Sequence, residues 1–226
     1  MEKRGKDTDE HRPARTGDEG LIPKHGGFRK LKTFQLAEVI YDVTVRFCDK
    51  YIDPRSRTHD QMVQAARSGR QNIAEGSVDS ATSKKMEMKL TGVAKGSLEE
   101  LRLDYEDFLR QRSLPQWEPD HPVLERFKAR RCANLEEFRA WVGEEVKREK
   151  KDTDEQGQAG AGKNTNPGLR ESPCPSVFVA NGVLSLLNLC IYLLGRQLKA
   201  QADVFEKEGG FTERLYRQRS RRRQSR

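Results

Sequence analysis

The stretch QAARSGRQNIAEG, residues 64–76, decides how this chain is read. It has helical periodicity yet places a glycine at its centre. Glycine inside a helix costs ~1 kcal/mol relative to alanine, and the usual compensation is close approach by a neighbour. Met62, Ala66, Gly69 and Ile73 form a narrow stripe, and Gly76 suits the left-handed position that ends helices. Thr58 and Gln61 have the spacing of a capping box, which predicts the helix start. Downstream, LTGVAKGS carries Gly92 and Gly96 four residues apart, so Gly69 is expected to pack against them. The polar residues read differently. Arg67 and Arg70 lie about one turn apart and are expected to pair with Glu99, Glu100, Asp104 or Asp107, with nucleic-acid contact as the alternative. Asn72 and Glu75 fall in the last turn, where a side chain caps a neighbouring element.

Working outward, Leu36, Ile40, Val43 and Phe47 predict an amphipathic helix across roughly residues 31–52. A third helix is expected from Thr82 or Ser83 to about Arg112, with Leu90, Ala94, Leu98 or Ser97, Leu101, Tyr105 and Phe108 at helical spacing. Pro115 and Pro119 follow it. HPVLERFKARR predicts one or two helical turns, and Asn134 with Glu137 caps a further helix carrying Leu135, Phe138 and Val142. The last long helix, about 176–207, contains nineteen mostly apolar residues and raises the question of a membrane span. Asn181, Ser185, Asn188, Tyr192, Arg196 and Lys199 put a polar stripe down one side. A helix buried on most sides, in a bundle or at a subunit contact, fits better than one facing lipid.

No segment reads as a strand. The fold expected is all-α, an antiparallel four-helix bundle with a helical insertion between its third and fourth helices and disordered termini. The divisions are a disordered arm over 1–27, bundle helices over 28–115, a helical insertion over 116–149, a flexible linker over 150–174, the fourth bundle helix over 175–208 and a basic tail over 209–226. GGF occurs at 26–28 and at 209–211, and the pair reads as hinges bounding the bundle.

The net charge of +8 is concentrated. Residues 209–226 hold seven arginines and one glutamate, a net +6, which leaves about +2 for the preceding 208 residues. Arg217, Arg219, Arg221, Arg222 and Arg223 are therefore the main candidates for phosphate contact, with salt-sensitive and sequence-tolerant binding. Four widely spaced cysteines without a CxxC pair read as ordinary thiols of a reducing cytoplasm. The charged start MEKRGKDTDE gives no expectation of a signal peptide. Carboxylates on a helical bundle invite a di-iron reading, but that chemistry needs Glu-x-x-His pairs. His11, His25, His59 and His121 form none, and no nucleophile–base set or phosphate loop can be assembled. Neither enzyme activity nor a metal or other cofactor is expected.

Asn72 to Gly76 (NIAEG), followed by Ala94, Gly96, Ser97, Leu98, Glu100 and Leu101 of AKGSLEEL, resembles the bacterial four-helix-bundle family of the 23S rRNA intervening-sequence proteins. The chain is similar also to the accessory variability determinant of diversity-generating retroelements. GGFRKLKTFQLAE, DYEDFLRQR and EGGFTER resemble most the subgroup called four-helix-bundle suffix-domain proteins. The likeness covers about 28–115 and 175–215. It implies a non-enzymatic bundle that assembles into a ring, typically a homopentamer. In the retroelement relatives the ring binds nucleic acid and a reverse transcriptase. The segment 116–174 has no counterpart in the short relatives.

Overall fold

The computed structural model describes residues 27–159 and 174–224, so all but Gly27 of the arm over 1–27 lies outside the described residues. Among the described residues the chain is all-helical, with seven α-helices, a 3-10 turn at Phe28–Lys30 and no strand. The helices are α1 (Lys32–Tyr51), α2 (Arg57–Asp79), α3 (Lys84–Gln111), α4 (Pro122–Arg130), α5 (Leu135–Ala159), α6 (Pro175–Glu208) and α7 (Phe211–Gln224).

The main packing partners of α2 are α1 and α3, and those of α6 are α3 and α1. The apolar stripes read from the sequence point inward: Ile40, Phe47, Met62, Ile73, Leu98, Tyr105 and Leu187 are all buried. The Tyr105 hydroxyl donates to Thr44 Oγ1 at 3.1 Å, which satisfies the one polar atom of that ring. Start meets end between neighbours. Thr33, in the first turn of α1, donates to Gln197 late in α6 at 3.2 Å, and Gln201 Nε2 of α6 donates to Glu87 Oε1 in the first turn of α3 at 3.0 Å. The apolar run of α6 has the length and composition to cross a membrane, but 61% of its most apolar window is buried inside the protein. Of the polar stripe on α6, Asn188, Tyr192, Arg196 and Lys199 are exposed while Asn181 is buried.

Local expectations need correction at several points. The cap of α2 is Ser56, whose hydroxyl accepts from the Thr58 N–H at 3.2 Å, rather than a Thr58–Gln61 box. Gly76 does not end α2. The helix runs on to Asp79, and a Cβ built on Gly76 would lie 3.3 Å from Leu90 Cβ, so the glycine serves close approach of α3. Gly92 and Gly96 face open space, and the neighbour that closes on Gly69 is the side chain of Leu98. Asn72 caps no other element: its Nδ2 donates to Ser68 O of its own helix at 2.8 Å, while Ser68 Oγ meets Ser97 Oγ at 3.0 Å. Glu75 is exposed.

The segment after α3 is helical over α4 and α5, and Asn134 Oδ1 accepts from the Glu137 N–H at 2.9 Å to start α5. Charged residues with good helix propensity carry α5 to Ala159, into the segment read as a linker; residues 160–173 lie outside the described residues. α5 docks on α6 where Gly182 lacks a side chain: a Cβ there would meet Trp141 Cζ3 at 2.8 Å and Phe138 Cζ at 2.9 Å. Arg126 of α4 ties the hairpin together, its Nε donating to the buried Glu145 of α5 at 2.9 Å.

Candidate nucleic-acid interface

The basic segment after Gly209 is helical over Phe211–Gln224 rather than a disordered tail; residues 225–226 lie outside the described residues. Gly209 makes the turn between α6 and α7. Its φ of 72° and ψ of −176° belong to a region that glycine alone visits readily, and Gly27 before α1 has a φ of 73°. Gly27 and Gly209 thus each turn the chain just before a helix. Glu213 then accepts from the Gly210 N–H at 2.9 Å, satisfying a donor at the start of α7 and placing a negative charge against the helix dipole.

Arginine and glutamine are good helix formers, which accounts for α7 locally. The helix has charge all round rather than an apolar stripe, so tertiary burial contributes little to it. Arg217, Arg219, Arg221 and Arg223 are exposed, and Arg219, Arg221 and Arg223 form no ion pair with a described residue. The backbone of Arg222 belongs to α7, while its side chain lies outside the described residues. Tyr216 is the most exposed large apolar side chain described, 74% accessible. Sequence reasoning passed over it, although an aromatic flanked by arginines is the composition of a base-stacking surface.

Arg67 and Arg70 stand on a different element from this cluster, and neither pairs with the acids of α3. Arg67 is exposed. Arg70 lies over the Tyr41 ring of α1, its Cζ 4.3 Å from the centroid. The acids are engaged within their own helix: Arg102 bridges Glu99 at 2.9 Å and Glu106 at 2.8 Å, and Arg110 holds Asp107 at 2.7 Å. Spacings of three and four residues on one helix bring such pairs together at small entropic cost, and they outcompete an interhelix partner. Asp104 is left in the α2–α3 groove with Glu100 and Asp60. Burial raises its carboxyl above the usual range, with Asp107 and Glu100 adding to the effect. With three carboxylates against the single cation Arg57, that groove is net acidic and unsuited to phosphate. Among the described residues no cluster of His, Cys, Asp and Glu has the makings of a metal site.

No family model, no curated protein and no solved structure matches this chain.

Proposed function

We propose that this protein is a non-enzymatic, cytoplasmic helical scaffold that binds RNA or DNA with little sequence preference through α7, without metal or other cofactor. In this reading α1, α2, α3 and α6 form an antiparallel four-helix bundle, an arrangement supported by the start-to-end contacts Thr33–Gln197 and Glu87–Gln201. The bundle self-associates into a ring. The bacterial family likeness, and with it the homopentamer and a reverse transcriptase as partner, rests on the NIAEG and AKGSLEEL motifs.

The observation that carries the nucleic-acid reading is the exposed trio Arg219, Arg221 and Arg223 beside exposed Tyr216. Guanidinium groups neutralise phosphates and release counterions, while the ring offers a base a stacking face. The test is fluorescence anisotropy of labelled RNA and DNA against the full chain and the Arg219→Glu/Arg221→Glu/Arg223→Glu variant. Binding to the full chain should weaken with salt with a log–log slope near ~0.9 per phosphate contact for duplex DNA, and should be lost in the variant. Binding untouched by the triple change would remove α7 from the interface.

A protein-interaction scaffold without nucleic acid is the second reading. Leu103, Leu189 and Tyr192 are exposed at 55%, 45% and 61%, as suits a surface that another protein covers. Under that reading the full chain binds no nucleic acid even at low salt. Self-association has its own check: light scattering that returned the 25.9 kDa monomer at every concentration would eliminate the ring.

A further inference from the structure

The groove where α6 emerges from beneath α4 combines an aliphatic floor with a cationic rim. Leu184 and Leu186 of α6, Leu124 and Phe127 of α4 and Leu36 of α1 supply buried apolar surface. Its volume of about 620 Å³ lies within the roughly 300–1,000 Å³ typical of sites for small organic ligands. One wall is set in advance. Trp117 stacks on His121 with centroids 4.7 Å apart, and buried Asn181 accepts from the Trp117 N–H at 2.8 Å.

Three cations line the opening: Lys32, Lys128 and Arg131, all exposed. Lys128 donates to the Pro119 carbonyl, which holds its ammonium at the edge of the groove. Arg131 closes α4 in the left-handed conformation at φ 54°, a position where glycine costs less. Neither Lys32 nor Arg131 forms an ion pair with a described residue. The one carboxylate in the lining, Glu106, is taken by Arg102 at 2.8 Å. The rim therefore presents uncompensated positive charge next to apolar surface.

We propose that this groove is a binding site for an amphipathic carboxylate, a fatty acid whose aliphatic chain lies on the leucine floor and whose carboxylate meets Lys128 and Arg131. Leu36, Leu124, Leu184 and Leu186 outnumber the one ring of the floor, Phe127, which suits an aliphatic chain. Cys132 in the wall is a spectator: burial pushes its thiol up, so it offers apolar surface rather than a nucleophile, and the site binds without acyl transfer. The proposal is independent of the reading of α7.

The experiment titrates the full chain with dodecanoate, dodecanol and dodecyltrimethylammonium below their micelle thresholds, by calorimetry and by tryptophan fluorescence. Dodecanoate should saturate at one molecule per chain and quench Trp117, a signal lost in Trp117→Phe. The alcohol should bind at least tenfold more weakly, and the cation not at all. Ser185→Phe, which fills the groove from α6, should abolish binding. Lys128→Glu with Arg131→Glu, both at exposed positions, should weaken it at least tenfold without touching the core, so the charge requirement stays testable even where the filled groove misfolds. Equal binding of all three amphiphiles, several molecules per chain, or unaltered affinity in the charge-reversed variant would overturn the proposal. So would dodecanoate binding that appears only on dilution, which would make a second copy of this chain the occupant.

Discussion

The side chain of Leu98 occupies the space that any side chain at Gly69 would need: a Cβ built there would sit 2.5 Å from Leu98 Cδ2 and 2.7 Å from its Cγ. Leu98 is fully buried and has nowhere to retreat. The Gly69→Ala change therefore overpacks the α2–α3 contact at ~1–3 kcal/mol, and the better helix propensity of alanine returns up to ~1 kcal/mol. Urea unfolding followed by circular dichroism should show a net loss of about 1 kcal/mol. Adding Leu98→Ala makes room for the new methyl, so Gly69→Ala should cost nothing further in that background. Strict additivity of the two changes would contradict the contact.

Asn181 is the polar pin of the segment between α3 and α4. Its Oδ1 accepts from the Trp117 N–H, and its Nδ2 donates to Pro115 O at 3.0 Å and Val177 O at 2.9 Å. Asn181→Leu keeps the branched shape but takes away the partner of the Trp117 N–H and the Pro115 carbonyl, at ~1–3 kcal/mol, while Val177 O keeps its helical donor. Limited proteolysis should then cut between residues 112 and 121 faster than in the native chain, while helix content stays constant. An unchanged cleavage rate would mean the segment is held by the Trp117–Phe178 ring contact, with centroids 5.3 Å apart, rather than by Asn181.

Much of the architecture is legible in the sequence, and the reason is local. Repeats such as Leu36, Ile40, Val43 and Phe47 fix which face of a helix turns inward, and Ser83 and Asn134 announce helix starts within a residue or two. What the sequence hides is which partner meets a given residue. Gly69 and Gly92 look equivalent as small residues, yet only one is closed upon. Gly182 gives no signal at all until Trp141 and Phe138 arrive from an element some forty residues away. Arg70 shows the same limit, since nothing local distinguishes a carboxylate partner from the Tyr41 ring. At the candidate interface the arginines are plain in the sequence, but their helical presentation is not. A uniformly basic run lacks the apolar period by which helices are recognised.

The hairpin of α4 and α5 offers an electrostatic test. Glu145 is buried, with a side chain only 5% accessible, and Arg126 is its main partner. Removing one member of a buried pair typically costs ~3–5 kcal/mol because the other charge is left stranded. Here Arg148 remains at 3.4 Å and Arg126 is itself partly exposed, so Arg126→Met should cost less, about 2 kcal/mol. The double change Arg126→Met/Glu145→Gln should recover part of that loss. Denaturant midpoints for the two single variants and the double complete the cycle; a double variant as weak as the sum of the singles would show that the pair is not coupled.

The thiols connect burial to pH. Burial, helped by Asp49 and Asp104, pushes Cys48 up to about 12, and burial alone does the same to Cys190. Both begin from an ordinary value of 9.0. A folded state that holds its protons more tightly than the unfolded chain loses stability as pH rises. Each contribution is complete below pH 9 and is lost as pH climbs toward about 12, at ~1.4 kcal/mol per unit for each thiol. Urea unfolding at pH 7.5 and 10.5 should thus show marked alkaline destabilisation. Cys48→Ala/Cys190→Ala should reduce it to the residual slope of Cys132 and Tyr105, whose buried thiol and phenol are raised in the same direction. At pH 8 a thiol reagent should modify exposed Cys174 quickly and reach buried Cys48, Cys132 and Cys190 only in denaturant. Rapid labelling of Cys48 or Cys190 in the native chain would contradict the packing of α1 against α2 and α6 that buries them.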